Sequence, residues 1–120
     1  MNNDMPLFVK IKRKEPPYRP IAERVKDYKA VELRLRDVDL VDQARRCMNC
    51  GTPFCHGFGC PLRNVIPEMN DAVRRGFWEK AFNILCSTNP FPDFTGRICP
   101  APCEAACVVG INDDPVSIRQ

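Results

Sequence analysis

The placing of eight cysteines constrains this 120-residue chain more than any other feature of its sequence. The cysteines form two groups of unequal internal spacing, with one cysteine alone between the groups. The first group is Cys47, Cys50, Cys55 and Cys60, the second is Cys99, Cys103 and Cys107, and the single residue is Cys86. A chain of this length can build only a modest core, so cross-links or bound metal should supply much of its stability. Eight thiols are also what two four-iron clusters need if every ligand is a cysteine.

The remaining composition favours bound metal over disulfides. Residues 1–10 contain no apolar run long enough for the core of a signal peptide, and no stretch approaches the roughly 18 apolar residues of a membrane span. We therefore expect a cytoplasmic chain, in which cysteines bind metal more often than they form disulfides. The formal charge of +3 counts the thiols as neutral, whereas metal-bound cysteines are thiolates. The charge therefore indicates neither a nucleic-acid partner nor a membrane partner.

Local patterns predict a mainly helical domain over residues 21–120, preceded by an extended arm over residues 1–20. The arm alternates apolar and basic side chains and then becomes proline-rich. This pattern suits a short edge strand, a segment that orders against a partner, or a solvated basic tail. Helices are predicted over residues 21–31, 39–46, 67–75 and 77–85.

Three further expectations concern these helices. Gly76 should end the helix before it in the left-handed conformation. Phe77, Trp78 and Phe82 have the helical spacing of core residues. A last helix should begin near Pro102 and carry Cys103 and Cys107, four residues apart, on one face.

The cysteine spacing favours iron–sulfur clusters over zinc, although both accept four cysteines. A zinc ribbon usually repeats two similar Cys-x-x-Cys knuckles, whereas only one knuckle is present here and the other intervals differ. Cys60 and Cys99 each precede a proline, and in two-cluster bacterial ferredoxins the cysteine before proline ligates the other cluster. That rule predicts a crossed ligand pattern, with zinc left open as the alternative metal. The predicted ligands are Cys47, Cys50, Cys55 and Cys107 for one cluster and Cys60, Cys99 and Cys103 for the other.

The segments around these cysteines resemble a known family. Residues 43–56 read QARRCMNCGTPFCH, residues 59–62 read GCPL, residues 94–107 read FTGRICPAPCEAAC, and residues 111–112 read IN. From about residue 19 onward, the chain is similar to the N-terminal domain of the glutamate synthase small subunit. The same domain type begins dihydropyrimidine dehydrogenase and related flavoprotein reductases. The resemblance implies an all-α, helical ferredoxin-like fold built round two 4Fe-4S clusters, followed by domains that bind FAD and NADPH.

The resemblance supports the crossed pattern and changes one ligand. It implies that the fourth ligand of the second cluster is a glutamate or glutamine shortly after Pro-Val-Ser-Ile, here residues 115–118. That ligand would fall about two residues beyond Gln120, which is itself a weaker candidate. Cys86 is the other weak candidate, and we expect it to be a buried helical cysteine. Four residues separate Cys55 from Cys60 where many relatives have three, and Gly57 and Gly59 should absorb the extra residue in a bulged turn.

The function implied by the resemblance is electron transfer in an NAD(P)H-dependent glutamate synthase, between a flavin and the catalytic large subunit. No Gly-x-Gly-x-x-Gly motif occurs, so we expect FAD and NADPH to bind only in downstream domains. The chain alone should have no catalytic residues and no catalytic activity, and His56, the single histidine, should face solvent. Two alternatives remain, namely a zinc-stabilised module that docks a larger subunit and the equivalent domain of a dihydropyrimidine dehydrogenase-like reductase.

Overall fold

A computed structural model of the chain describes residues 7–120 and confirms the all-α prediction for them. These residues form seven α-helices, one π-helical turn and one 3-10 turn, and they contain no β-strand. The helices are α1 (Leu7–Lys10), α2 (Ile21–Arg24), α3 (Asp37–Arg45), α4 (Ile66–Arg74), α5 (Trp78–Cys86), α6 (Pro92–Ile98) and α7 (Pro102–Ala105). The π-helical turn is Cys55–Gly59 and the 3-10 turn is Val108–Ile111. No helix within residues 7–120 is long and apolar enough to cross a membrane.

The core is small and lies where α4 meets its neighbours. α4 packs against both α3 and α5, while α7 packs against the π-helical turn. The buried apolar side chains are mostly small or β-branched: Leu35, Ala44, Ile66, Ala72, Ala81, Cys103, Val109 and Val116. A core of this composition contributes limited hydrophobic stabilisation, because burial energy follows the apolar area removed from water.

The end of α4 agrees with the prediction from sequence. Gly76 has a φ of 76°, the left-handed region that glycine enters without a Cβ clash. Its N–H donates to the carbonyl of Val73 at 2.9 Å, and the N–H of Phe77 donates to the carbonyl of Ala72 at 2.9 Å. These two bonds form a Schellman motif, which satisfies the last carbonyls of α4 and turns the chain into α5.

The predicted core role of three aromatic residues is wrong. Phe77, Trp78 and Phe82 are 54%, 43% and 58% exposed, and Ala81 is the buried residue of α5. Helical spacing predicts which side chains share a face, but not whether a neighbouring element covers that face. Here α5 meets α4 through a small side chain and leaves the aromatic residues in solvent.

The predicted helix over residues 21–31 is also wrong beyond Arg24, where α2 ends. The Asp27 carboxylate accepts two hydrogen bonds from the Arg19 guanidinium, at 2.7 and 2.9 Å, and one from the N–H of Lys29 at 2.9 Å. These bonds turn the backbone away from a helical path, as aspartate commonly does in turns. Ile21, Val25 and Tyr28, whose spacing suggested a helix, are all exposed, so no packed face supports a longer helix.

The arm is fixed to the helical domain over part of its length. Gln43 of α3 accepts a hydrogen bond from the N–H of Lys14 at 3.0 Å and donates one to the carbonyl of Lys12 at 3.2 Å. The Ser117 hydroxyl donates to the Lys14 carbonyl at 3.1 Å. Farther along, Tyr18 and Glu32 form a single antiparallel bridge. The expected arm therefore contains a short helix, α1, and a packed extended segment, while the division of the chain at residue 20 stays a prediction and residues 1–6 lie outside the described part.

Candidate metal centres

Four of the cysteines line one cavity, and we call them the first set: Cys47, Cys50, Cys55 and Cys107. Cys47 follows the C-terminal end of α3, and Cys55 opens the π-helical turn. Between Cys47 and Cys50, Asn49 has a φ of 52°, a left-handed conformation that asparagine tolerates better than most residues. This turn bends the Cys-x-x-Cys loop, and Cys50 faces the same cavity as Cys47. Cys107 is distant from these residues in sequence, lies just before the 3-10 turn, and lines the same cavity.

The electrostatics of the first set are those of mutually close, half-buried thiols. Burial, together with the nearby Cys107, Cys47 and Cys50, raises the pKa of Cys55 to about 11, against an opposing effect of the His56 backbone. Burial also raises the pKa of Cys47, although the Asn49 backbone and the neighbouring Asn70 side chain oppose that shift. Thiols with raised pKa values hold their protons at neutral pH. A metal that binds here must therefore displace protons to obtain thiolate ligands.

Three more cysteines lie near one another at α7, and we call them the second set: Cys60, Cys99 and Cys103. Burial raises the pKa of Cys103 to about 12, with further contributions from Glu104, Cys60 and Cys99. The sulfur of Cys60 accepts a hydrogen bond from the N–H of Asn64 at 3.4 Å. The sulfur of Cys99 accepts one from the N–H of Ala101 at 3.3 Å. Backbone N–H groups directed at sulfur are among the features that stabilise and tune ligating thiolates.

The π-helical turn brings Cys60 beside α7. The N–H of Cys60 donates to the carbonyl of Cys55 at 2.8 Å, the i→i+5 bond that accommodates one extra residue in a helical turn. A Cβ added to Gly59 would lie 2.6 Å from the Cα of Cys103 and 2.9 Å from the carbonyl oxygen of Pro102. Only glycine permits this approach. The segment with the extra residue forms a π-helical turn rather than the expected bulged turn, and of its two glycines Gly59 is the one that the packing requires.

Cys103 and Cys107 do not share a helix face, contrary to the prediction. α7 ends at Ala105, and Cys107 has an extended backbone with φ of −67° and ψ of 125°. The sequence spacing of four residues is compatible with a helix, but the chain leaves the helix before it reaches Cys107. Cys103 therefore belongs to the second set and Cys107 to the first. The short α7 is the point at which the two sets cross.

Cys86 is part of neither set. It is the last residue of α5, as expected of a helical cysteine, but it is half-buried rather than buried, because it lies at the end of that helix. It does not line the cavity of the first set, and it is not among the groups that shift the pKa of Cys103. Gln120 lies near the second set, since it lines the same cavity as Cys99 and Glu104. The structure thus groups seven of the eight cysteines as the crossed pattern does, while metal ligation itself stays a prediction.

Sequence reasoning missed the polar residues that hold the second set together. Glu104 lies between Cys103 and Cys107 in the sequence, and its side chain is buried. It accepts hydrogen bonds from the N–H groups of Ile118 and Arg119 at 2.8 and 3.0 Å. It also forms an ion pair with Arg13 of the arm. The available signal was a glutamate inside a cysteine-rich run. Its partners are distant in sequence, and only the fold brings them together.

His56 is not the solvent-facing residue that the sequence suggested. Its ring is half-buried, and Nδ1 lies 2.8 Å from the carbonyl oxygen of Asn64. The side-chain oxygen of Asn64 accepts a hydrogen bond from the Thr88 hydroxyl at 2.7 Å. His56 and Thr88 thus fix both the backbone and the side chain of Asn64, whose N–H donates to the sulfur of Cys60. The histidine acts on the second set through this loop.

The donor chemistry fits iron–sulfur clusters. Thiolate is the ligand that Fe–S clusters use, and seven thiols lie in two sets with N–H donors directed at sulfur. Within residues 7–120, no three His, Cys, Asp or Glu side chains converge on a point that could hold a single metal ion. In the first set, the buried amide nitrogen of Asn70 lines the thiol cavity without any hydrogen-bond partner, so a donor is available for a sulfur atom there.

A helical fold that gathers thiols from separate loops into two sets defines a class of protein, the helical iron–sulfur domains. Residues 24–120 match the family model described as dihydropyrimidine dehydrogenase domain II, 4Fe-4S cluster. The match covers most of the chain, and the chain belongs to this family.

Over nearly its whole length, this chain is similar to the corresponding parts of glutamate synthases. It is 58% identical over 108 residues to the glutamate synthase (NADPH) small chain of Mycobacterium tuberculosis, an alignment that covers 90% of this chain and 22% of that protein. Identity to the same chain of Bacillus subtilis is 48% over 120 residues, covering 93% and 24%. Identity to the glutamate synthase (NADH) of Schizosaccharomyces pombe is 48% over 113 residues, covering 93% and 5%. The chain thus spans about a quarter or less of each of these relatives.

Proposed function

We propose that this chain is an electron-transfer domain of a glutamate synthase small subunit and that it holds two 4Fe-4S clusters. The first set, Cys47, Cys50, Cys55 and Cys107, would hold one cluster, and the second set, Cys60, Cys99 and Cys103, would hold three irons of the other. The observation that carries the proposal is the crossing at α7, which gives each set cysteines from both groups of the sequence. When bound, such clusters supply one-electron redox chemistry.

The protein's own contribution is to place the thiols and to control their surroundings. The N–H groups of Asn64 and Ala101 stabilise negative charge on the sulfurs of Cys60 and Cys99. Ile66, Val109 and Val116 are buried and line the first cavity, which limits the access of water to that site. Cys103 of the second set and Cys107 of the first set are only four residues apart in the chain. The two clusters would therefore lie close together, as electron transfer between them requires.

For the fourth ligand of the second cluster, we propose an amide or carboxylate oxygen. Gln120 is the candidate in this chain, because it lines the same cavity as Cys99. A residue that follows Gln120 in a longer chain and Cys86 are the other candidates. The hydrogen bonds from Ile118 and Arg119 to Glu104 direct the backbone toward the second set, which favours a ligand from this segment over Cys86.

The proposed partners follow from the relatives, which are glutamate synthases of the NADPH and NADH types. In this proposal the chain passes electrons between a flavin and the catalytic large subunit, in the cytoplasm. FAD and NADPH would be bound by other domains of the same subunit. The family to which the chain belongs also includes a domain of dihydropyrimidine dehydrogenase, so the identity of the electron acceptor rests on the similarity to glutamate synthases.

Cysteine variants test the ligand sets. The chain is reconstituted anaerobically with iron and sulfide, and iron is measured per chain. Cys55→Ser should lose the first cluster and Cys99→Ser the second, so that each variant retains about half of the iron of the unaltered chain. Cys86→Ser is the matched control and should retain all of it. Equal iron in all four proteins would contradict the assignment, and a colourless chain purified with stoichiometric zinc would favour the zinc-stabilised docking module.

A further inference from the structure

Two buried side-chain nitrogen atoms within residues 7–120 have no hydrogen-bond partner. They are Nε of Arg46 and Nδ2 of Asn70. Folded proteins pair nearly all of their buried polar atoms, because an unpaired donor loses its water and receives nothing in return. An unpaired buried donor therefore calls for a specific explanation, and a missing acceptor is the simplest one.

Asn70 lies beside the first set. It belongs to α4, is 5% exposed, and lines the cavity that the four thiols surround. The atom that lacks a partner is a donor, so the partner that it lacks is an acceptor. The acceptors that this cavity is built to receive are sulfur atoms.

Arg46 is the second of the two residues, and it is joined to the first set through the chain. It directly precedes Cys47 and is fully buried, at 0% exposed. Its two terminal nitrogens donate to the carbonyls of Asp114 and Pro115 at 2.6 and 2.8 Å. No carboxylate within the described residues forms an ion pair with it, and Asp113, Asp114 and the Cys107 thiol are the groups that attract its charge. A buried cation without an ion-pair partner is costly, and negative charge at the first set would compensate for it.

We propose that Asn70 and Arg46 are positioning residues for the first cluster and that they raise its reduction potential. Asn70 Nδ2 donates a hydrogen bond to a sulfur of the cluster or of its Cys47 ligand, and Arg46 supplies a buried positive charge next to Cys47 in the chain. Uptake of one electron adds one negative charge to this site. A hydrogen-bond donor and a cation both favour the more negative state, so both make reduction easier. The inference rests on the proposed function.

The test is an anaerobic redox titration of the reconstituted 120-residue chain with dithionite, followed by electron paramagnetic resonance. Asn70→Leu removes the donor and keeps a similar volume. We expect the reduced-to-oxidised ratio of the first cluster at a fixed potential to fall roughly tenfold, a shift of about 59 mV to more negative potential for one electron. Asn83→Leu, an exposed asparagine of the neighbouring α5, is the matched control and should leave the potential unchanged.

A second pair of variants tests the charge. Arg46→Gln removes the buried cation, whereas Arg45→Gln removes the adjacent arginine, which is exposed and bound to Asp42. The first cluster should shift to more negative potential in Arg46→Gln only. The second cluster serves as an internal standard in every variant, because neither Asn70 nor Arg46 lines the cavity beside Cys99.

The outcomes separate the inference from the proposed function. A wild-type chain that takes up no iron and sulfide contradicts both. A loaded chain whose first potential is unchanged in Asn70→Leu and Arg46→Gln overturns the inference and leaves the function standing. If Asn70→Leu does not load, Asn70→Asp keeps the shape, removes the donor and should shift the potential in the same direction. If neither Asn70 variant takes up the first cluster while Asn83→Leu does, Asn70 is needed only for assembly, and its tuning role is wrong.

Discussion

At the scale of single residues, Gly59 shows how closely the two halves of the metal-binding region approach each other. Its missing side chain lets the π-helical turn lie directly on the backbone of α7. The atoms that a Cβ would meet, the Cα of Cys103 and the carbonyl oxygen of Pro102, are backbone atoms, which cannot move aside as a flexible side chain can. The contact therefore fixes the position of Cys60 relative to Cys103.

Gly59→Ala should push the π-helical turn away from α7. We expect a loss of about 1–3 kcal/mol in the free energy of unfolding, because overpacking of a close contact forces the backbone to shift. We also expect the second cluster to be lost, and iron per chain together with urea unfolding measures both effects. Gly57→Ala is the matched control, since a Cβ there meets nothing within 4 Å, and it should change stability by no more than about 0.5 kcal/mol. Similar behaviour of the two variants would contradict this account.

At the scale of elements, α3 acts as the support for both the arm and the first set. Its buried Gln43 bonds to the arm through Lys12 and Lys14, and its C-terminal end leads into Cys47. A side-chain amide takes the place of a neighbouring strand here, because it offers one donor and one acceptor to an extended backbone. The arm is thereby held without a β-sheet.

Gln43→Leu should release this part of the arm. The substitution leaves the Lys14 N–H and the Lys12 carbonyl without partners, at a cost of about 1–3 kcal/mol in the free energy of unfolding. Hydrogen exchange at the Lys14 amide should become faster, and urea unfolding should show the lost stability. Asp42→Asn alters the neighbouring, half-exposed residue of the same helix, which pairs with Arg45 and not with the arm, and should have little effect on Lys14. An unchanged exchange rate at Lys14 would show that Gln43 does not hold the arm.

The elements also show what the sequence could predict and where it could not. The α4–α5 turn was predictable because its signals are local, namely Pro67 near the start of α4 and Gly76 after its end. The length of α2 was not, because its end depends on a salt bridge from Asp27 back to Arg19. The exposure of Trp78 and Phe82 depends on which elements cover α5, and that information is absent from helical periodicity.

The candidate site divides in the same way. The grouping of the cysteines followed from their spacing and from the two Cys-Pro pairs, before any fold was known. The roles of Asn70 and Arg46 did not, because each is an ordinary polar residue in the sequence. Their burial, and the absence of partners for Arg46 Nε and Asn70 Nδ2 within residues 7–120, emerge only from packing.

At the scale of the whole molecule, ion pairs contribute to the attachment of the N-terminal segment. Arg36 and Lys14 hold the pKa of Asp39 well below its usual range, through contacts of 2.9 Å each. Arg19 lowers the pKa of Asp27 to about 2. Since the carboxyl pKa values are lower in the folded chain than in the unfolded chain, these pairs stabilise the fold above pH 4 or so.

Stability should therefore fall as the pH drops from about 4 toward 2, while the two carboxylates take up protons. The measurement is the urea midpoint as a function of pH. Acid also releases metal from thiolates, so the informative quantity is the difference between the wild-type chain and the Asp39→Asn and Asp27→Asn variants. Each variant should show a smaller loss of stability across this range. Parallel curves for wild type and variants would mean that these pairs do not contribute.

The small core gives the metal centres a large share of the stability. With few large apolar side chains buried, removal of the clusters should destabilise the whole fold, because ligand binding and folding are coupled. We expect a chain treated with an iron chelator and an oxidant to lose its cooperative thermal transition in far-UV circular dichroism. Reconstitution with iron and sulfide should restore the transition. An identical melting curve before and after metal removal would show that the fold is independent of the clusters.

Native mass spectrometry of the anaerobically reconstituted chain measures whether this protein holds two four-iron clusters. The method weighs the intact protein together with its bound groups, so it separates iron–sulfur clusters from zinc and counts them. We expect a mass increase of two Fe4S4 units, reduced to one unit in Cys55→Ser. A chain that carries zinc ions, or that takes up no cluster, would contradict the claim.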